Sequence, residues 1–182
     1  MELTNIDKNL NNGQNMGGTA QIAYFCAWDD VATWPTLPSA PVSTDDNGTL
    51  TGDIVLKAGK QMRTIYITDD TGEFQIESVG EVDGKSFVTH LRLFNPGLKK
   101  ELLGFINFAK NENLVFIVKD NDGQFYLMGD DTRAAIYVGA PDGSGTGKET
   151  AARRGISMEF IFKTANVHTY AGSLALTPSV SI

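Results

Sequence analysis

A few stretches of this 182-residue chain carry side chains whose types and spacing could do chemistry. Gly143-Ser144-Gly145-Thr146-Gly147-Lys148 has the composition of a phosphate-binding loop, in which backbone N–H groups wrap phosphate oxygens and a lysine reaches them. That motif needs glycine five positions before its Gly-Lys pair and a hydroxyl residue after it; Asp142 and Glu149 stand there instead. Asp120-Asn121-Asp122-Gly123 opens like a calcium loop, which closes with a bidentate glutamate at its twelfth position. Asp131 occupies that position, so a hairpin turn is expected. His90 lies in an alternating stretch beside Arg92, His168 lies near the C-terminus, and no Gly-x-Ser-x-Gly elbow is present. Cys26 sits in an apolar stretch and reads as a small buried hydrophobe. Trp28 and Trp34 flank an irregular segment, where they either pin it to the body or anchor a neighbouring subunit. Asn47-Gly48-Thr49 fits the glycosylation sequon and is set aside, because the polar N-terminus has no secretory pattern. Glu73, Gln75 and Glu77 share one strand face, either simply solvated or a wall that stays wet and repels polyanions. No catalytic constellation, metal centre or cofactor site is expected, which points to a structural or binding role rather than an enzyme.

Composition narrows the classes further. Hydrophobic residues at 41% and charged residues at 20% are ordinary for a folded chain long enough for one core. A single cysteine excludes an internal disulfide framework and a multi-thiolate metal site. Nothing approaches the 18 apolar residues of a membrane span. A net charge of −7 argues against ordinary DNA binding, which draws its affinity from cations on phosphates. Residues 1–50 hold one lysine against six acids, and the remainder is close to balance.

These residues must be positioned by a succession of short strands. Residues 19–27 alternate, with Ile22, Tyr24 and Cys26 on one face. Further strands are expected at 54–57, 64–68, 73–79, 87–94, 114–118, 124–128, 134–138 and 156–163, with Asp83-Gly84 turning one hairpin. Residues 168–176 form a strand or a docking tail. One helix is expected, with Asn95 as N-cap, Pro96 in its first turn and a stripe of Leu98, Leu102, Phe105, Ile106 and Ala109. Residues 28–51 and 139–155 read as long structureless loops of little apolar content, of the kind that is functional, ordered by a partner or disordered. The expected class is α+β, mainly β: an antiparallel sandwich or open barrel with one flanking helix. Residues 1–18 form an N-terminal arm, 19–176 the single domain and 177–182 a C-terminal tail.

Several short motifs together resemble bacteriophage major tail proteins, the tail tube subunits, in particular those of phages and prophages of Bacteroidetes-like hosts. They are Gly17-Gly18 before Ile22-Ala23-Tyr24, and Tyr66-Ile67-Thr68 leading to Thr71-Gly72-Glu73-Phe74, Glu77 and Gly80-Glu81. Next come Leu91-Arg92-Leu93-Phe94, Phe116-Ile117-Val118-Lys119-Asp120 with Gly123, Tyr126-Leu127-Met128-Gly129, and Gly155 leading into 156–162. The similarity spans roughly residues 16–172. It implies a β-sandwich with a flanking helix, hexameric rings stacked into a hollow tube, and four strands per subunit joined into one inner barrel. Loops and arms would cross to neighbouring subunits, other tail proteins would be partners, and DNA would pass through the lumen without specific binding during ejection. The protein would be made in the host cytoplasm and reside in the virion, with no membrane contact. Glu73, Gln75 and Glu77 suit a luminal strand; Trp28, Trp34, Asp45, Asp46, Arg153 and Arg154 are candidate inter-subunit contacts, with the two arginines meeting the two aspartates across a ring. The alternatives are the tube protein of a contractile injection or secretion apparatus, and a monomeric β-barrel that binds a small ligand.

Overall fold

The longest alternating stretch builds the centre of one sheet. The computed structural model describes residues 2–6, 16–139 and 143–178. Its strands are β1 (Thr19–Ala27), β2 (Val31–Thr33), β3 (Thr49–Leu50), β4 (Val55–Leu56), β5 (Arg63–Tyr66), β6 (Glu73–Val79), β7 (Ser86–Pro96), β8 (Leu114–Asp120), β9 (Phe125–Met128), β10 (Ile136–Gly139), β11 (Ser144–Gly145), β12 (Gly155–Thr164) and β13 (Thr169–Tyr170). The single α-helix, α1, is Lys100–Ala109.

Two sheets pack face to face. The first runs β10-β12-β7-β6, all antiparallel, with β11 extending the β10 side of β12. The second runs β3-β13-β9-β8-β1-β5 and is antiparallel except where β13 meets β3. Between them Leu91, Leu93, Met158 and Phe160 meet Ala23, Leu114, Phe116 and Met128, all at most 1% exposed. The helix closes one side: its Phe105 ring lies 4.9 Å from Phe25 of one sheet and 6.2 Å from Phe160 of the other. The sheets do not join into a closed barrel. The expected class, mainly β with one flanking helix, holds.

Strand β8 is apolar on both faces and buried on both. Phe116 and Val118 enter the inter-sheet core, while Val115 and Ile117 enter a second core with Cys26, Val31, Ile54, Leu56, Met62 and Tyr170. That second core corrects the structureless reading of residues 28–51. The segment carries β2, β3 and two one-turn 3₁₀ pieces, Trp28–Asp30 and Asp46–Gly48, and lies over the outer face of the second sheet. Strands of two or three residues escape periodicity, which needs four or more residues to register. In the second loop Ser144 and Gly145 pair with Ile156 and Gly155, and residues 140–142 of that loop lie outside the described residues.

The start of the helix is a second correction. Asn95 and Pro96 do not cap it; β7 continues through them because Pro96 pairs with Gly155 and the Asn95 side chain donates to the Tyr66 carbonyl at 2.8 Å. Gly97, at φ +85°, breaks the strand, and the helix begins after Lys99 without a side-chain cap. The predicted stripe is the one that packs: Leu102 and Ala109 are buried, with Leu98, Phe105 and Ile106 against the core.

Of the arm expected at 1–18, residues 1 and 7–15 lie outside the described residues, as do 179–182 of the tail. Glu2 pairs with Ser43, and the Met16 amide donates to the Asp122 carboxylate at 3.2 Å.

Candidate functional site

The pleat of β6, β7 and β12 sends their apolar residues into the sandwich and places a charged set on the opposite face. Register decides who meets whom. Glu73, Arg92 and Glu159 stand in one row across the three strands, Gln75, His90 and Ile161 in the next, and Glu77, Val88 and Lys163 in the third. The Arg92 guanidinium joins the first row, donating to Glu73 at 2.9 Å, Gln75 at 3.0 Å and Glu159 at 3.0 Å. The hydrogen bond to Glu73, and next the charge of Glu159, hold the Arg92 proton more tightly than usual. His90 Nδ1 lies 2.8 Å from the same Glu159 oxygen. Its Nε2 lies 3.3 Å from Glu77 Oε2 but outside hydrogen-bond alignment. The His90 and Glu159 side chains are 16% and 15% exposed, whereas Glu73 and Glu77 are more than half exposed.

The face is therefore a cross-linked polar surface rather than a bare acidic one. Three carboxylates stand beside one arginine, one lysine and one histidine. No nucleophile–base pair faces a cavity here, and among the described residues no group of three or more His, Cys, Asp or Glu side chains is arranged to hold a metal ion.

The two outer strands of this sheet are unpartnered. Among the described residues nothing pairs with the free edge of β6 or with that of Ile136–Gly139 in β10; Ala135, just before β10, bridges instead to Leu114 of β8 through two backbone hydrogen bonds of 2.8 and 3.0 Å. Ile76 on β6 is 47% exposed, and Ile136 and Val138 on β10 are similarly open. Since the sheet has four antiparallel columns, β6 and β10 run in opposite directions.

No protein-family model, no curated protein and no solved structure matches this chain.

The remaining candidates fall at other places. Trp28 donates its indole N–H to the Asp130 carbonyl at 2.7 Å, and its ring centroid lies 6.3 Å from that of Trp34. Within the chain both rings pin the 28–62 layer to the sheet beneath. Asp45 accepts from the Thr4 hydroxyl at 2.8 Å. Asp46 accepts from the Val42 and Ser43 amides, which hold its carboxyl below the usual range, Val42 foremost. Arg153 stacks its guanidinium 5.1 Å above the Phe94 ring, and the Arg154 carbonyl accepts from the Gly97 amide at 2.9 Å. Among the described residues no ion pair joins either aspartate to either arginine within the chain.

Sequence reasoning named Glu73, Gln75 and Glu77 but missed their partners Arg92, His90 and Glu159. Alternation does place all six on outward faces. What it lacks is the register that puts Glu159 opposite Arg92.

Proposed function

We propose that this chain is a structural subunit of a phage tail tube, assembling into hexameric rings that stack as a hollow conduit for DNA ejection. The observation that carries the reading is the open four-column sheet whose two free edges run antiparallel to each other. A copy rotated about an axis can offer its β6 to the β10 of its neighbour and continue the antiparallel ladder unbroken. Such a head-to-tail contact closes into a ring when the rotation closes. Closure removes both edges, which would otherwise template aggregation. It also covers Ile76 on the core side of the seam, beside the neighbour's Tyr137, which points the same way. The ring number follows from the resemblance to tail tube proteins.

In this arrangement the Glu73–Arg92–Glu159 face lines the lumen. Arg92 is already engaged by two glutamates, so it offers a passing polyanion no free cation. A wall near neutrality with anchored carboxylates lets DNA slide without specific binding. The tube protein of a contractile injection or secretion apparatus would share this geometry.

A monomeric small-ligand binder is the second reading. It is favoured by a cleft of about 370 Å³ lined by Trp34, Leu50, Leu127 and Phe162, within the usual size of ligand sites.

Negative-stain electron microscopy of concentrated protein, with light scattering on the same sample, separates the two. Rings or hollow tubes are expected. A monomer at every concentration that saturates with a small apolar ligand, and loses it on Phe162→Ala, overturns the tube reading.

A further inference from the structure

The four-column sheet has two unlike ends. At one, the turn between β6 and β7 projects past the last paired residues, Val79 and Ser86. Its tip, Val82, is 82% exposed, with the carboxylates of Glu81 and Asp83 on either side. The turn is stiff. The Gly84 amide donates to the Glu81 carbonyl at 3.1 Å, and Asp83 holds φ at +66°. Gly80 holds φ at +99°, where a Cβ would strike the Gly84 carbonyl. This is an apolar knob flanked by two acids on a pre-formed support, with the exposed Lys85 at its base.

The opposite end carries a socket. A cavity of about 350 Å³ opens over Phe94, between β7, β12 and the loop through Ser144 and Arg153. Gly155 makes it possible: a Cβ there would strike the Phe94 ring and the Asn95 carbonyl, so only glycine lets the ring lie across β12. Arg153 stacks on that ring, and Lys148 and Arg154 on the same loop are exposed beside Glu149, while Thr71, which follows the exposed Asp69 and Asp70, lines the cavity from another side. The socket thus has an aromatic floor and a basic rim. Knob and socket are separated by the ten residue steps of β7, about 33 Å.

The geometry points to an end-to-end contact between copies, in which the Val82 knob of one copy seats against Phe94 in the socket of the next, and Glu81 and Asp83 meet Arg153 and Arg154. Size, apolar match and opposite charge agree on a second copy of this chain as the occupant. Knob and socket lie on opposite ends, so the contact is heterologous and repeats along the strand direction instead of stopping at a dimer. It rests on the tube reading in that it supplies the joint between successive rings, while the free edges supply the joint within a ring.

Two variants test it. Glu81→Lys with Asp83→Asn reverses the knob, keeping a residue tolerant of positive φ at 83. Arg153→Glu with Arg154→Glu reverses the socket. Each alone is expected to lower the stacked fraction by about tenfold or more at low salt, and mixing the two is expected to restore alternating stacks. In parallel, Val82→Cys and Ser144→Cys proteins mixed under oxidising conditions should give a disulfide-linked pair absent from either alone, Cys26 being buried. Unchanged stacking by both charge variants, or stacks that never cross-link, overturns the knob-and-socket contact and leaves rings intact. Cross-linked open filaments without a lumen overturn the ring and leave the contact standing. A monomer that never cross-links overturns both.

Discussion

Glu159 Oε1 lies 2.8 Å from His90 Nδ1 and 3.0 Å from Arg92 Nε, so one largely buried carboxylate oxygen ties an imidazole and a guanidinium on the neighbouring strand. It is the hub of the polar face. Glu73 and Glu77 sit at the periphery, more than half exposed, each beside only one of those two partners.

Glu159→Gln should therefore cost more than Glu77→Gln. Removing the hub charge leaves Arg92 and His90 with a weaker acceptor in a partly desolvated row, a loss of about 1–3 kcal/mol. For a chain of this size that lowers the thermal midpoint by about 2–12 °C. Glu77→Gln should change stability by less than about 1 kcal/mol, as exposed pairs do. Equal midpoints for the two variants would sink the hub assignment.

Gly155→Ala should destabilise, because the added methyl has no space beside Phe94 and the Asn95 carbonyl. Overpacking of this kind costs about 1–3 kcal/mol. Gly145→Ala, on the strand paired to Gly155, has nothing within 4 Å of the new methyl and serves as the near-neutral control. Urea unfolding of both variants checks the contrast, and a Gly155→Ala midpoint matching that of Gly145→Ala would contradict it.

Cys26 should resist thiol reagents in the native protein. Burial foremost, and then the charge of Asp30, push its thiol up to about 12, so the reactive thiolate is scarce at neutral pH. Labelling should follow global unfolding or lifting of the 28–62 layer, with rates rising in step with denaturant. Rapid stoichiometric labelling without denaturant would show that the layer stands open.

Tyr126 should be among the last tyrosines to ionise. Burial first, then its hydrogen bond to Asp120 and the charges of Asp120 and Asp122, push its phenol up to about 12. A phenol held protonated by the fold favours the native state below its unfolded pKa of about 10. That contribution is lost as pH rises through about 12. Absorbance titration near 295 nm should show a high-pH phase that Tyr126→Phe removes. A variant retaining that phase would reassign it.

What the sequence made legible was whatever is local. Clean alternation in 73–79, 87–94 and 156–163 gave three strands of the first sheet and told inward from outward residues. The helix stripe from Leu98 to Ala109 was equally plain. Register was invisible, because the rows Glu73–Arg92–Glu159 join residues up to 86 positions apart, and nothing in one strand states its offset against another. Asn95-Pro96 misled because a local helix-start signal yielded to a ten-pair ladder with β12. The strand expected at 54–57 is there as β4, but the order of residues 28–51 was missed because β2 and β3 are two or three residues long and the segment is held by burying Val31, with Ile54 and Leu56, on a sheet formed by distant parts of the chain.

The ladder between β7 and β12 also sets how the molecule bears load. Ten consecutive residue pairs, from Phe87–Thr164 to Pro96–Gly155, lie side by side along the longest strand. A pull that slides β7 lengthwise against β12 strains all of these pairs together, whereas a pull across the strands peels them one at a time. The subunit is stiff along the strand axis and yields most readily across it, so its strength has a direction.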